Sequence, residues 1–154
     1  MGVVGAIFLT PEAEAPCEPR DRVRFEPGRG PKGDRYFRGD GDEPNEPGTG
    51  RDITLIEAEA IEGLASETGI ELAPGEARRN VVTRGLSLND LVGKRFTLGE
   101  AECVGRRLCD PCSHLEQATQ QGVLKGLARR GGLRADIVSD GRVEVGSPLR
   151  ELPD

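Results

Sequence analysis

The sequence contains no tryptophan, one histidine and one methionine, and only 3% of its 154 residues are aromatic. Its core must therefore be assembled from Val, Leu, Ile and Ala around Phe8, Phe25, Phe37, Phe96 and Tyr36. No apolar run approaches the roughly 20 residues that a membrane-spanning helix needs. Val3 to Leu9 is strand-length and stops at Thr10-Pro11, without the charged and apolar regions of a secretion signal. The net charge of -6 excludes a generally basic surface, so neither nucleic acid nor an anionic membrane is an expected partner. Four cysteines in a chain of this size do not form a disulfide framework. The expectation is a single domain spanning residues 1–154, cytoplasmic, with reduced thiols.

What the sequence does hold is concentrated in one stretch, Leu108-Cys109-Asp110-Pro111-Cys112-Ser113-His114-Leu115-Glu116, with two of the cysteines and the only histidine. Ser113 and Glu116 have the spacing of a capping box, in which the Ser hydroxyl accepts from a backbone N–H three residues on and the Glu carboxylate reaches back. Cys112 then lies one residue before a helix N-terminus, where the dipole and unpaired N–H groups favour a thiolate, and Arg106-Arg107 add nearby cationic charge. Cys112 is the candidate nucleophile or metal ligand. The alternative is two small buried residues flanking an Asp110-Pro111 turn, since free Cys often behaves as a buried hydrophobe.

Along the chain, Val3–Leu9 reads as a buried strand and Val23-Arg24-Phe25 as a second. Lys32-Gly33-Asp34-Arg35-Tyr36 is a glycine-punctuated basic turn whose Lys32 and Arg35 can meet an anion. Residues 38–51 lack apolar side chains and read as a mobile surface loop; Asp40, Asp42 and Glu43 lack the spacing of a calcium loop. Ile53–Ile56 is a strand leading into an amphipathic helix that Gly69 stops. Arg78 to Thr83 reads as a strand with Arg78 and Asn80 on one face, able to present a cation and an amide to one ligand. A hairpin over residues 94–108 delivers the cysteine turn, and residues 114–130 form a helix interrupted at Gly122. Asp140-Gly141 marks a final hairpin. Six or seven short strands with two or three helices predict a mainly β (α+β) fold, a closed or nearly closed barrel with helices at its rim.

Zinc fits poorly, because Cys109, Cys112 and His114 cannot all converge across a helix start and no second pair of ligands exists. A thioredoxin-type dithiol would expose the first cysteine of the pair, whereas the cap favours the second. A Cys112–His114 nucleophile lacks a plausible geometry and an orienting residue. A soft metal with an open Cys position remains, with Arg78, Asn80 and Lys32 as partners for an anionic cofactor.

The segments Lys32–Tyr36, Ile53–Ala60, Arg78–Gly85, Leu91–Phe96, Cys109–Leu115 and Arg130–Ala135 together resemble, in order, the MOSC domain of molybdenum cofactor sulfurases and of small stand-alone bacterial proteins. The resemblance implies the MOSC-type barrel, molybdenum cofactor (molybdopterin), and Cys112 as catalytic residue and molybdenum ligand. Arg78 and Asn80 match the family's Arg-x-Asn, which helps bind the pterin, and Lys32, Arg35 and Thr83 are the remaining candidate cofactor-binding residues. The implied function is support of the reduction of N-hydroxylated compounds, with a redox partner. The alternatives are a sulfur carrier that takes a persulfide on Cys112 from a cysteine desulfurase, and a non-catalytic binding module. Neither the pyridoxal phosphate domain of the sulfurases nor the second barrel domain of the related reductases is expected.

Overall fold

The computed structural model describes residues 2–11, 16–34, 37, 39, 41–109, 122 and 130–153. The elements that follow, and every statement of absence, refer to these residues.

Strands β1 (Gly2–Leu9), β2 (Glu18–Arg20), β3 (Arg22–Glu26) and β4 (Gly30–Pro31) open the chain. They are followed by β5 (Ile53–Glu57), the helix α1 (Ala58–Thr68) and, beyond a 3-10 turn at Pro74–Ala77, by β6 (Val81–Arg84). A second 3-10 turn at Leu88–Leu91 leads to β7 (Arg95–Leu98) and β8 (Ala101–Leu108), and β9 (Leu133–Ile137), β10 (Gly141–Glu144) and β11 (Pro148–Glu151) complete the order.

Seven of these strands close into a ring. The order β11-β7-β8-β9-β5-β6-β1 returns on itself because β11 also pairs with β1, at Gly2↔Leu149 and Val3↔Pro148. β2 extends β1 outward, while β10-β3-β4 form a separate three-stranded sheet. All named pairings are antiparallel except β5–β6, and a parallel neighbour requires a crossover, which α1 supplies.

Alternation along the strands divides the apolar residues between two clusters. Inward residues from the ring, including Val4, Ile7, Leu55, Val81, Phe96, Leu98 and Leu133, pack with Val23, Phe25 and Val143 of the small sheet. Outward residues Ile56 and Val82 are covered by Ala60, Ile61 and Leu64 of α1 together with Leu72 and Ala77. The helix ends where expected: Gly69 takes a left-handed conformation (φ 77°) and its N–H donates to Ala65 O at 2.8 Å. Its N-terminal acids serve the next loop, with Glu57 accepting from the Leu88 N–H (3.1 Å) and Glu59 from the Gly85 N–H (2.8 Å).

Two buried carboxylates fasten the polar stretch before β5. Asp52 accepts from the N–H groups of Gly28 (3.0 Å) and Ile137 (2.9 Å) and from Asn45 Nδ2 (2.9 Å). Asp136 accepts from Gly48 N (2.6 Å), Gly50 N (2.8 Å) and Arg106 Nε (2.7 Å). A segment without apolar side chains is thus attached to the barrel through its backbone donors, satisfied by charged acceptors.

Three local expectations are corrected. The Asp140-Gly141 pair does not turn a hairpin between β9 and β10, because β9 stays in the ring beside β5 and β8 while β10 departs to β3. Gly141 is needed instead for a close crossing, since a Cβ there would lie 2.4 Å from the carbonyl carbon of Glu100. Arg78 to Asn80 are not strand: β6 begins at Val81, and Arg78 closes the preceding 3-10 turn in the left-handed region (φ 57°). The described strands number eleven against the expected six or seven, seven of them in the ring, and β2, β4 and β11 carry no sequence signal of their own. The expected helix over residues 114–130 lies outside the described residues, except Gly122 and Arg130.

Candidate functional site

The site is best built from the turn that precedes β6. Pro74 at the start of a 3-10 turn pre-sets its φ, and Glu76 reaches back to the Ala73 N–H (2.8 Å), so the turn is fixed at its entrance. At its exit Arg78 is the only described residue other than glycine with positive φ, a conformation that costs an L-residue about 1–2 kcal/mol. Backbone strain of this kind persists where the surroundings over-determine it. The surroundings here are the hydrogen bonds of the two residues that follow.

Asn80 is welded to β5 and β1. Its Oδ1 accepts from the N–H (3.0 Å) and hydroxyl (3.2 Å) of Thr54, its N–H donates to Thr54 Oγ1 (3.0 Å), and its carbonyl accepts from the Phe8 N–H (2.7 Å). With the amide oxygen committed, the Nδ2 group is the part of the side chain left to donate to a ligand.

Arg79 gathers backbone carbonyls from three places in the chain. Its Nε donates to Gly131 O (2.9 Å), one terminal nitrogen to Cys109 O (3.3 Å) and the other to Ala77 O (3.5 Å). Cys109 itself is buried, and its N–H donates to Gly132 O at 2.7 Å. The chain therefore leaves β8 at Cys109 and returns before β9 at Gly131-Gly132 beneath a single guanidinium. Arg130 adds a second cation on the return side, with its guanidinium against Gly63 and its NH2 donating to Glu59 O (3.2 Å). No sequence motif marks a side chain that gathers carbonyls; only its place between Arg78 and Asn80 hinted at a role.

The remaining candidates are dispersed. Lys32 lies in a cleft of about 430 Å³ with Arg20, Arg22, Arg24 and Arg142, whose lining includes neither Arg78 nor Asn80. Thr83 is fully buried within the barrel, and its hydroxyl has no partner among the described residues. Arg106 is committed to Asp136. Cys103 faces the core six residues of strand from Cys109, a span of about 20 Å. Its thiol is pushed far above the ordinary range by burial, reinforced by the carboxylates of Asp52, Glu102 and Asp136. Cys112, Ser113, His114 and Arg35 lie outside the described residues. Among the described residues no group of three His, Cys, Asp or Glu side chains could hold a metal ion, and no helix is long and apolar enough to cross a membrane.

Chemically, the turn presents the Asn80 carboxamide N–H2 group beside the Arg78 guanidinium, while Arg79 is spent on backbone carbonyls. That donor set suits an anionic, phosphate-bearing group. These donors suit the anionic part of a pterin cofactor.

Comparison with known proteins places the fold. No curated protein matches the sequence. Solved structures share the fold at low identity. The YuaD protein of Bacillus subtilis superimposes with a TM-score of 0.76 at 19% identity, covering 97% of this chain and 94% of that one. YiiM of Geobacillus stearothermophilus does so at 0.73 and 18%, covering 99% and 76%. YiiM of Escherichia coli gives 0.69 and 18%, covering 99% and 70%. The family model for the MOSC domain matches residues 42–150, from the polar stretch before β5 to within β11 and including the Arg78-Arg79-Asn80 turn and Cys109, so the chain belongs to the MOSC domain family.

Proposed function

We propose that this protein is a stand-alone MOSC protein that holds molybdenum cofactor through the Cys112 thiolate and supports the reduction of N-hydroxylated compounds. The observation that carries the reading is the Arg79 clasp, which joins both roots of the Cys112-bearing segment to the Arg78–Asn80 turn. Arg78 and the Nδ2 group of Asn80 would hold the anionic side of the pterin, and Cys112 would ligate the metal. When bound, the molybdenum centre supplies two-electron redox chemistry. The chain's own contribution is to fix the donors beforehand: Thr54 orients the Asn80 amide, and Arg79 limits how far the segment root can drift. Positioning of this kind is what a ligand site needs from its supporting residues.

The test is metal analysis of protein expressed in a host that makes the cofactor. Wild type should carry molybdenum close to one per chain, Cys112→Ser should carry almost none, and Asn80→Ala should retain a reduced share. Wild type with no more molybdenum than Cys112→Ser sinks the proposal. Finding instead a single added sulfur on Cys112 after incubation with a cysteine desulfurase and cysteine would move the function to sulfur delivery.

A further inference from the structure

A second concentration of charge lies away from the Arg78–Asn80 turn and has no place in the function just proposed. On the small sheet, Arg24 of β3 and Arg142 of β10 are directly opposite in an antiparallel pair, and Arg22 lies two residues along the same face. Directly opposed like charges destabilise a sheet, so the pattern calls for an anion to offset it. Arg20 of β2 and Lys32, just past β4, turn toward the same cleft, which encloses about 430 Å³ and is floored by Leu9 and Val23. Glu100 is the one carboxylate in the lining, against five cations, in a protein whose net charge is -6.

Three of the cations are partly compensated from outside the lining. Asp140 holds Arg24 at 3.0 Å, Glu18 holds Arg20 at 2.9 Å and Glu144 stands 3.9 Å from Arg142. Glu100 spends one oxygen on the Arg142 N–H (3.1 Å). Arg22 and Lys32 have no carboxylate partner among the described residues. The five are also differently built: four guanidinium forks, which match phosphate oxygens in pairs, and one ammonium point charge. A cleft of this volume takes a small molecule rather than a flat macromolecular surface; its apolar lining is the buried Leu9 and Val23, while the charged side chains around it are largely exposed.

We infer that the cleft between β2, β3, β4 and β10 is a binding site for a small, multiply charged phosphate ligand, separate from the site at Arg78 and Asn80. Arg22 and Lys32 are the available anchors, and Arg24 and Arg142 exchange their rim carboxylates for ligand oxygens. The inference does not rest on Cys112 or on any cofactor.

The experiment is calorimetric titration of the full chain with inorganic pyrophosphate, at low and at physiological salt, against equal ionic strength of sodium chloride. Wild type should bind saturably at a single site. The Arg22→Ala, Lys32→Ala double variant, with an unchanged far-ultraviolet spectrum, should bind about tenfold or more weakly, as expected for the loss of two charged donors. Glu100→Gln should bind more tightly than wild type, and Asn80→Ala should bind as wild type does, which separates this site from the one proposed above. The inference is overturned by any of three results: no saturable binding, affinity unmoved in the double variant, or binding lost in Asn80→Ala instead. A poly-glutamate peptide binding more tightly than pyrophosphate overturns the small-ligand assignment.

Discussion

Replacing Asp136 tests how the polar stretch before β5 is held. The side chain accepts from Gly48 N at 2.6 Å, from Gly50 N at 2.8 Å and from Arg106 Nε at 2.7 Å. The three donors do not lose equally when the acceptor goes. Gly48 is exposed and the Arg106 side chain is 35% accessible, so both can turn to water. Gly50 is buried, and its N–H would be left without a partner, at a cost of about 1–3 kcal/mol. Adding the two solvent-compensated bonds at a discount, Asp136→Ala should destabilise the protein by about 3 kcal/mol. Asp136→Asn has the same shape and should not recover much of this. Its oxygen can keep Gly50, but its amide group would then meet the donors of Gly48 and Arg106, so the expected cost is about 2 kcal/mol. Urea unfolding at neutral pH measures both, and amide exchange at Gly48 and Gly50 should rise ahead of the barrel strands. Losses below about 1 kcal/mol for both variants, or an Asn variant as stable as wild type, would refute the reasoning.

Two further outcomes follow from charged and thiol groups. Cys103, inside the barrel with its thiol held protonated by burial and by Asp52, Glu102 and Asp136, should resist iodoacetamide in the native protein and react only on unfolding, while half-buried Cys17 reacts earlier; peptide mapping of labelled protein checks the order. The bidentate pair of Glu62 with Arg84 lowers the Glu62 pKa below its ordinary value of 4.5, chiefly through the hydrogen bond from Arg84. Because the folded value is the lower one, the pair's stability is present above about pH 4.5 and is lost as pH falls through the folded value. The stability gap between wild type and Arg84→Met should therefore be small at neutral pH, as befits an exposed pair, and should close in acid; a gap that widens in acid would contradict the assignment.

Short β-branched and aromatic runs make β1 and β5 legible in the sequence, alternation makes β3 legible, and helical spacing with a terminal glycine makes α1 legible, because each signal is local and agrees with the burial it produces. The strands without a sequence signal carry little apolar content and contain proline: Glu18-Pro19-Arg20, Gly30-Pro31 and the start of Pro148–Glu151. Proline is tolerated at strand edges and starts, where pairing rather than sequence creates the strand. Gly141 shows the same limit from the other side, since a D-G turn signal was satisfied by a close crossing against Glu100. At the site, the pairing of Arg78 with Asn80 came from a strand alternation that the left-handed Arg78 does not follow. Arg79 has no sequence signal, because backbone carbonyls leave no residue signature. The basic cleft did have a signal, the alternation Arg20-x-Arg22-x-Arg24, three cations at strand spacing.

The closure of the ring has a consequence for how the protein is made. β1 is synthesised first, yet one of its neighbours, β11, comes nearly the whole chain later, and β11 also caps β7. Until Leu149 is available, the nascent sheet has two raw edges whose backbone donors and acceptors can recruit another chain. β11 is four residues long and buries one of them, Leu149, so its contribution to the core is small. Its larger effect is topological, because this short strand removes both edges at once, and a ribosome stalled or a chain clipped before Pro148 releases an open sheet prone to self-association rather than a slightly weaker barrel.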